Sequence, residues 1–424
     1  MPMSRVSFSF AKEGGHEENS YFQFARALDR VRKLVVEKLQ SEVGLYSQND
    51  GNDVWEWVQE DVRRDFRGAH RFAVIYELLE QKTIEFQEAK GDSAFEIYPL
   101  LHNNVIGYPE YGVAFARIPI RNQYGIGNED IIFARNDEAF RVFLADLQER
   151  QLRERRITVF TDTKEGLERS REELSRAVQR DDVVMEEALK TQIFRSIDEF
   201  FLKDRVFFQT YDIPYKRGVL LYGKPGNGKT TLVKSITGSV EAPVAYWQIT
   251  EHTTSDSIQE VFSAAIKMAP MILVIEDIDS MPDSARSYFL NTLDGATSRE
   301  GIFLIGTTNY PEKIDPALIN RAGRFDRAYE VKQPDERLRV HYLTRKGLQR
   351  IVSPEVVEEA ARRTEGFSFA QLNELFVSAA LQKHYEDQVD LERLIDDLKI
   401  DLKKGSKRVW LTDKSDSQVG FLVR

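Results

Sequence analysis

Val219-Leu-Leu-Tyr-Gly-Lys-Pro-Gly-Asn-Gly-Lys-Thr-Thr-Leu-Val-Lys-Ser-Ile236 is the stretch whose reading decides the fold. Its apolar start, Val219–Tyr222, reads as a short buried strand, and Thr231–Ile236 carries a helical pattern. Between them, Gly-Lys-Pro-Gly-Asn-Gly-Lys-Thr at 223–230 matches G-x-x-x-x-G-K-[ST] with the flanks that motif requires. The glycines let the backbone wrap phosphate groups with its N–H groups turned inward. The following helix adds the positive end of its dipole. The expected nucleotide contacts are Gly223, Lys224, Pro225, Gly226, Asn227, Gly228, Lys229, Thr230 and Thr231. Lys229 is expected on the β- and γ-phosphates and the Thr230 hydroxyl on Mg²⁺. Lys224 reads either as a second cation near the phosphates or as a solvated loop lysine.

Two further strands converge on the same chemistry. Met271–Ile275 is apolar and ends in Glu276-Asp277-Ile278-Asp279. Adjacent carboxylates delivered beside a P-loop suit a metal-shell acid followed by one that positions the attacking water. By position, Glu276 takes the metal role with Thr230, and Asp277 the water role. Phe303–Gly306 runs into Thr307-Thr308-Asn309, where the Asn309 amide can bond the γ-phosphate or the water without adding charge. Strands and helices alternate over about 210–331, which predicts an α/β domain with a parallel sheet. ATP and Mg²⁺ are the implied ligands.

Downstream lies Asp315-Pro-Ala-Leu-Ile-Asn-Arg-Ala-Gly-Arg-Phe-Asp326. It resembles the D-P-A-L-hydrophobic-x-R-P-G-R-F-D signature of the AAA ATPase family, with Ala322 where proline is usual. The resemblance implies a P-loop parallel sheet followed by a helical lid subdomain. It also implies that Arg321 and Arg324 act as fingers in a neighbouring subunit's site, and so a homo-oligomeric ring, usually a hexamer. Gly366-Phe-Ser-Phe-Ala-Gln-Leu372 resembles the family's lid motif G-[YF]-S-G-A-D-L; Ala370 keeps its place beside the nucleotide, whereas Phe369 replaces a glycine. Tyr211–Gly223, the Glu-Asp order at 276–277 and the strand–helix–strand pattern at Ile131–Phe160 are similar to the branch containing the mitochondrial Rieske-protein translocase.

Asp277 is one methylene shorter than the glutamate usual in the family, and a misplacement of ~1 Å can cost ~10²-fold in rate. Val244–Ile249 reads as a strand, and Thr250–Ser257 leads directly into the next helix without the aromatic tripeptide of the family's threading members. His252 in that loop reads as a polar loop residue rather than a substrate contact or ligand, since nothing pairs with it at metal spacing.

The rest of the chain bounds the answer. Its 424 residues suffice for several domains, and 42% hydrophobic with 30% charged residues is an ordinary globular balance. The predicted layout is an α+β N-terminal domain over 1–190, the large ATPase subdomain over 191–332, the lid over 333–404 and a tail over 405–424. Within the first, helix is expected over 20–90 (with a turn at Asn49–Asn52 and helix again over Val54–Ala89), strands over 95–160 and a helical connector over 162–202. The tail is expected as a strand pair. Cysteine is absent, so disulfides and thiolate chemistry are excluded. No apolar run approaches the ~20 residues of a spanning helix, and Met1–Gly15 lacks a leader-like apolar core. A cytoplasmic protein without a membrane partner is expected.

The aromatics of the first hundred residues fall mostly at helical spacing and read as core. The favoured function is an ATPase ring that remodels or protects protein clients in a chaperone-like way. The rivals are a nucleic-acid remodeller, disfavoured by the net charge of −10, and a nucleotide-gated scaffold with little hydrolysis. A protease would need H-E-x-x-H, a cysteine or G-x-S-x-G, and none occurs.

Overall fold

A computed structural model describes residues 20–48, 53–86, 95–122, 125–153, 156–173, 178–294, 300–319 and 324–407. The expected turn at 49–52 and the strand pair of the tail lie outside these residues. The chain divides into two compact units at Gln151/Leu152.

The first unit comprises α1 (Ser20–Leu39), β1 (Gly44–Tyr46), α2 (Asp53–Arg63), β2 (His70–Val74), β3 (Lys82–Phe86), β4 (Phe95–Pro99), β5 (Asn104–Tyr108), β6 (Val113–Asn122), β7 (Gly125–Ala134) and α3 (Asp137–Arg153). Five strands form an antiparallel sheet in the order β1-β7-β6-β5-β2, and β3-β4 is a separate ribbon. Both faces of the sheet are covered. Ala114, Ala116 and Ile118 share a core with Val31 and Val35 of α1. Val113 and Phe115, pointing the other way by the strand period, pack with Trp55 of α2 and Phe143 of α3.

The helical reading of 54–89 is corrected here. The helix stops at Arg63, and His70–Val74 joins the sheet against β5. Long-range pairing with residues some thirty positions ahead overrides local periodicity, which for a short aromatic and β-branched run does not separate helix from strand.

The second unit contains β8 (Arg156–Thr163), β9 (Gly166–Glu173), α4 (Glu187–Phe201), α5 (Val206–Thr210), β10 (Arg217–Tyr222), α6 (Lys229–Ser239), β11 (Val244–Gln248), α7 (Ser255–Met268), β12 (Met271–Glu276), α8 (Asp283–Asp294), β13 (Ile302–Thr308) and β14 (Arg327–Glu330). The lid follows as α9 (Glu336–Lys346), α10 (Pro354–Arg363), α11 (Phe369–Glu386) and α12 (Leu391–Lys407). The sheet runs β14-β10-β13-β12-β11-β8-β9, parallel except for β9. Alternate residues face opposite layers. Leu273 and Ile275 meet α7 and α8 through Val261, Phe262 and Phe289. Ile272 and Val274 meet α4 and α6 through Ile197, Phe200 and Val233. The lid has its own core around Leu343, Ala361, Leu372 and Leu375.

The expected boundary near 190 therefore moves to 151, and part of the expected helical connector is strand. Residues 156–163 pair with β11, in register Ile157↔Val244, and 166–173 folds back on them. The hairpin is local, but its partner in the large sheet, β11, lies more than eighty residues ahead, so local pattern gives no sign of which sheet it joins. This added edge is tied down by Asp162, which is 4% exposed and accepts hydrogen bonds from Trp247 Nε1 (2.9 Å) and Thr253 Oγ1 (2.7 Å).

Removing a buried acceptor leaves both donors desolvated and unpaired, at about 1–3 kcal/mol. Asp162→Ala is expected to lower unfolding stability by that amount in urea titrations followed by tryptophan fluorescence. A midpoint matching the parent chain's would mean that the tie contributes nothing.

Candidate active site

The sheet brings the three expected segments to one edge. β10, β13 and β12 are adjacent and parallel, with Tyr222 opposite Thr308 and Ile275 opposite Gly306. Their carboxyl ends, from which Gly223, Glu276 and Asn309 emerge, therefore lie together, the place where open parallel sheets bind ligands.

The P-loop backbone has the conformation its glycines were expected to permit, with φ of +142° at Gly223, +78° at Gly226 and +92° at Gly228. A side chain at Gly226 would also collide with the lid, since an added Cβ would lie 2.9 Å from Ser368 Oγ and 3.0 Å from Ala370 Cβ. Ala370 N–H donates to Gly226 O at 3.0 Å, so the lid residue expected beside the nucleotide holds the loop through its backbone. Phe369, 8% exposed, packs in the lid core against Tyr342, ring centroids 4.9 Å apart, and the two rings line the cleft.

Lys229 begins α6 and is 7% exposed. Its ammonium donates to Gly223 O (2.6 Å) and Lys224 O (3.1 Å). Burial pushes its pKa below the usual lysine value, against the opposing pull of the Asp277 and Asp279 carboxylates. Lys224 is exposed and supplies its carbonyl to this arrangement. Asn227 is 2% exposed, and neither side-chain polar atom has a hydrogen-bond partner.

Glu276 ends β12, and burial, then the neighbouring Asp277 charge, raises its pKa while Lys234 works the other way. Asp277 adopts a left-handed backbone, φ +54°, that turns the chain at once into a 3-10 turn at Ile278–Ser280. Aspartate tolerates this conformation better than most residues. Asn309 Nδ2 lies 3.5 Å from Asp277 Oδ1, and Asp279 accepts from Thr308 Oγ1 at 2.6 Å. The strand ends are thus cross-linked by side chains as well as by the ladder.

A cleft of about 1020 Å³ collects Pro225, Gly226, Gly228, Lys229, Thr230 and Thr231 with Glu276, Asp277, Asn309 and Ala370. The sequence did not indicate its other wall. Val178, Asp182, Val183 and Val184 form a strap ahead of α4, while Tyr342, Arg345, Lys346 and Asn373 come from the lid. None belongs to a local motif.

Of the two expected fingers, Arg321 lies outside the described residues. Arg324 is 3% exposed and engaged within its own chain, donating to both Asp294 oxygens at 2.6 Å and to Ala317 O at 2.6 Å.

This donor set fits a nucleoside triphosphate. The cradle excludes side chains at Gly226, a buried ammonium faces carbonyls rather than counter-ions, and the Glu276 and Asp277 carboxylates line the cleft. Mg²⁺ held there through Thr230 and Glu276 would neutralise phosphate and carboxylate charge together.

The comparisons agree with the geometry. Residues 219–333 match the ATPase family associated with various cellular activities (AAA). The chain carries an AAA ATPase domain. It is similar to the ATP-dependent zinc metalloprotease FtsH of Malacoplasma penetrans, with 33% identity over 223 residues, 47% of this chain and 26% of that protein. The corresponding FtsH of Ureaplasma parvum is 35% identical over 217 residues, 46% of this chain and 29% of the relative. The cell division cycle protein 48 homologue of Archaeoglobus fulgidus is 33% identical over 249 residues, 53% of this chain and 34% of its own length. The likeness thus spans about a quarter to a third of these relatives.

A lysine whose pKa is lower in the folded state binds fewer protons folded than unfolded, so its charge costs the nucleotide-free domain stability at neutral pH. Lys229→Met is expected to leave Tm without nucleotide unchanged or raised, and to abolish the rise that Mg·ATP causes in the parent protein. A ligand-induced rise surviving the substitution would remove Lys229 from the site.

Proposed function

We propose that this AAA domain hydrolyses Mg·ATP within a homo-oligomeric ring, hexameric by family resemblance, and that the cycle remodels or protects protein clients. The observation that carries the reading is the convergence of Lys229, Glu276, Asp277 and Asn309 in one cleft. In this reading Lys229 binds the phosphates, Glu276 and Thr230 hold the metal, Asp277 polarises water, and Asn309 orients it. Thr250–Ser257 offers no aromatic grip, and its Thr253 is pinned to Asp162, which favours a mode of action other than threading. The approach Tyr211–Gly223 and the Glu-Asp order support a place in the branch similar to the Rieske-protein translocase. Among the described residues no helix is long and apolar enough to cross a membrane.

Arg321 and Arg324 are assigned as trans-acting fingers. Arg324 must first leave Asp294, and because that carboxylate is 30% exposed the cost of opening the pair without a new partner is at most about 3–5 kcal/mol. A neighbouring subunit's phosphate is the kind of partner that would offset it. Protein clients suit the ribbon β3-β4, where Ile84 pairs with Ile97 and Phe86 with Phe95 across the strands, all four more than half exposed. The opposite face is closed by Arg63, bound to Glu85 and Glu96.

Steady-state hydrolysis would be measured alone and with unfolded protein, single-stranded DNA or duplex DNA at fixed salt. Stimulation by unfolded protein is expected; stimulation by nucleic acid instead would reverse the client assignment. Asp277→Asn is expected to bind ATP and lose about 10²–10⁴-fold in turnover. Undiminished turnover would transfer the water-polarising role to another residue.

A further inference from the structure

The strap at Val178–Val184 meets both halves of the ATPase unit. Val183 is buried in the core between the sheet, α4 and α6, whereas Val184 packs against the lid core. Its 3-10 turn, Arg180–Asp182, carries two ion pairs that run to different partners. Arg180 forms a two-pronged pair with Asp198 of α4, at 2.7 and 2.5 Å, and lies 4.4 Å over the Phe194 ring. Asp182 accepts from the Gln179 backbone N–H at 2.9 Å and from the Arg345 guanidinium in the last turn of α9. Both Asp182 and Arg345 line the nucleotide cleft.

We propose that Asp182 and Arg345 form a latch that fastens the lid to the strap and sets how quickly nucleotide leaves. They are positioning residues, and the proposal rests on the cleft being the nucleotide site. Beside the Val184 contact, two polar ties hold the lid to the cleft walls among the described residues. At one end of α11, Ala370 N–H donates to Gly226 O. At the end of α9, the hold is the ion pair. The first is a backbone bond that survives most substitutions; the second depends on two side chains. Val183, 6% exposed in the core with α4 and α6, anchors the strap, with Arg180–Asp198 beside it, so a pull on the lid is resisted by the large subdomain rather than taken up by a sliding strap. Side-chain exposures of 39% for Arg345 and 44% for Asp182 leave the pair open to salt, which makes it weak enough to open in each cycle.

The test is release of a fluorescent ADP analogue from the full chain, chased with excess ATP in a stopped-flow instrument. Asp182→Asn and Arg345→Gln are each expected to speed release about two- to fivefold, the range for an exposed ion pair, with association unchanged. The two together should do no more than either alone. Exchanging the charges, Asp182→Arg with Arg345→Asp, should restore slow release. Raising salt from about 0.05 to about 0.5 M should speed the parent protein and leave Asp182→Asn nearly unaffected. Parent-like release from both single variants, or single effects that add, would overturn the latch. Failure of the parent chain to bind the analogue at all would overturn the site reading itself, and the latch with it. Lys229→Met, which should not bind, separates the two outcomes.

Discussion

The parallel register of β10, β13 and β12 is the constraint on which everything else rests. Leu221 opposite Thr307 and Ile275 opposite Gly306 bring phosphate-binding loop, acids and amide out of the sheet at one level. A slip of one residue in β12 would turn Ile275 and Leu273 out of one core layer and Val274 and Ile272 out of the other. Because both layers are packed, the sheet holds the register that places Glu276 and Asp277 beside Lys229. Burial on two faces is what makes the chemistry reproducible.

Charge is managed within that frame by geometry rather than by direct pairing. Lys229 is buried, yet its hydrogen bonds run to carbonyl oxygens, with the carboxylates of Asp277 and Asp279 acting at longer range. Glu276 is disfavoured as an anion by burial and by its neighbour. Both groups are therefore poorly solvated before ligand arrives. In the proposed reading, bound phosphate and a divalent cation would relieve both groups.

The same economy of ties governs the parts around the cleft. Asp162 joins the added edge strand to the loop after β11, and Asp294 holds Arg324 against the end of α8. In each case one carboxylate connects segments far apart in sequence. Breaking either leaves buried donors unpaired, so these links carry mechanical as well as chemical consequences.

The P-loop, the acids after Met271–Ile275 and the amide after Phe303–Gly306 were readable from residue order, because each is a short strand followed by chemistry at a fixed offset. The lid helices were readable from periodicity. What order could not reveal was partnership at a distance. Residues 70–74 joined a sheet through β5, some thirty positions ahead, and the strand ending near Phe160 found its place beside β11, far away in sequence. The strap wall of the cleft, the burial of Arg324 on Asp294 and the closure of Asp182 on Arg345 are contacts between segments that share no motif. Local pattern dictates which groups a segment offers; packing of the whole chain decides which of them meet, because burial and pairing free energies exist only after distant segments have come together.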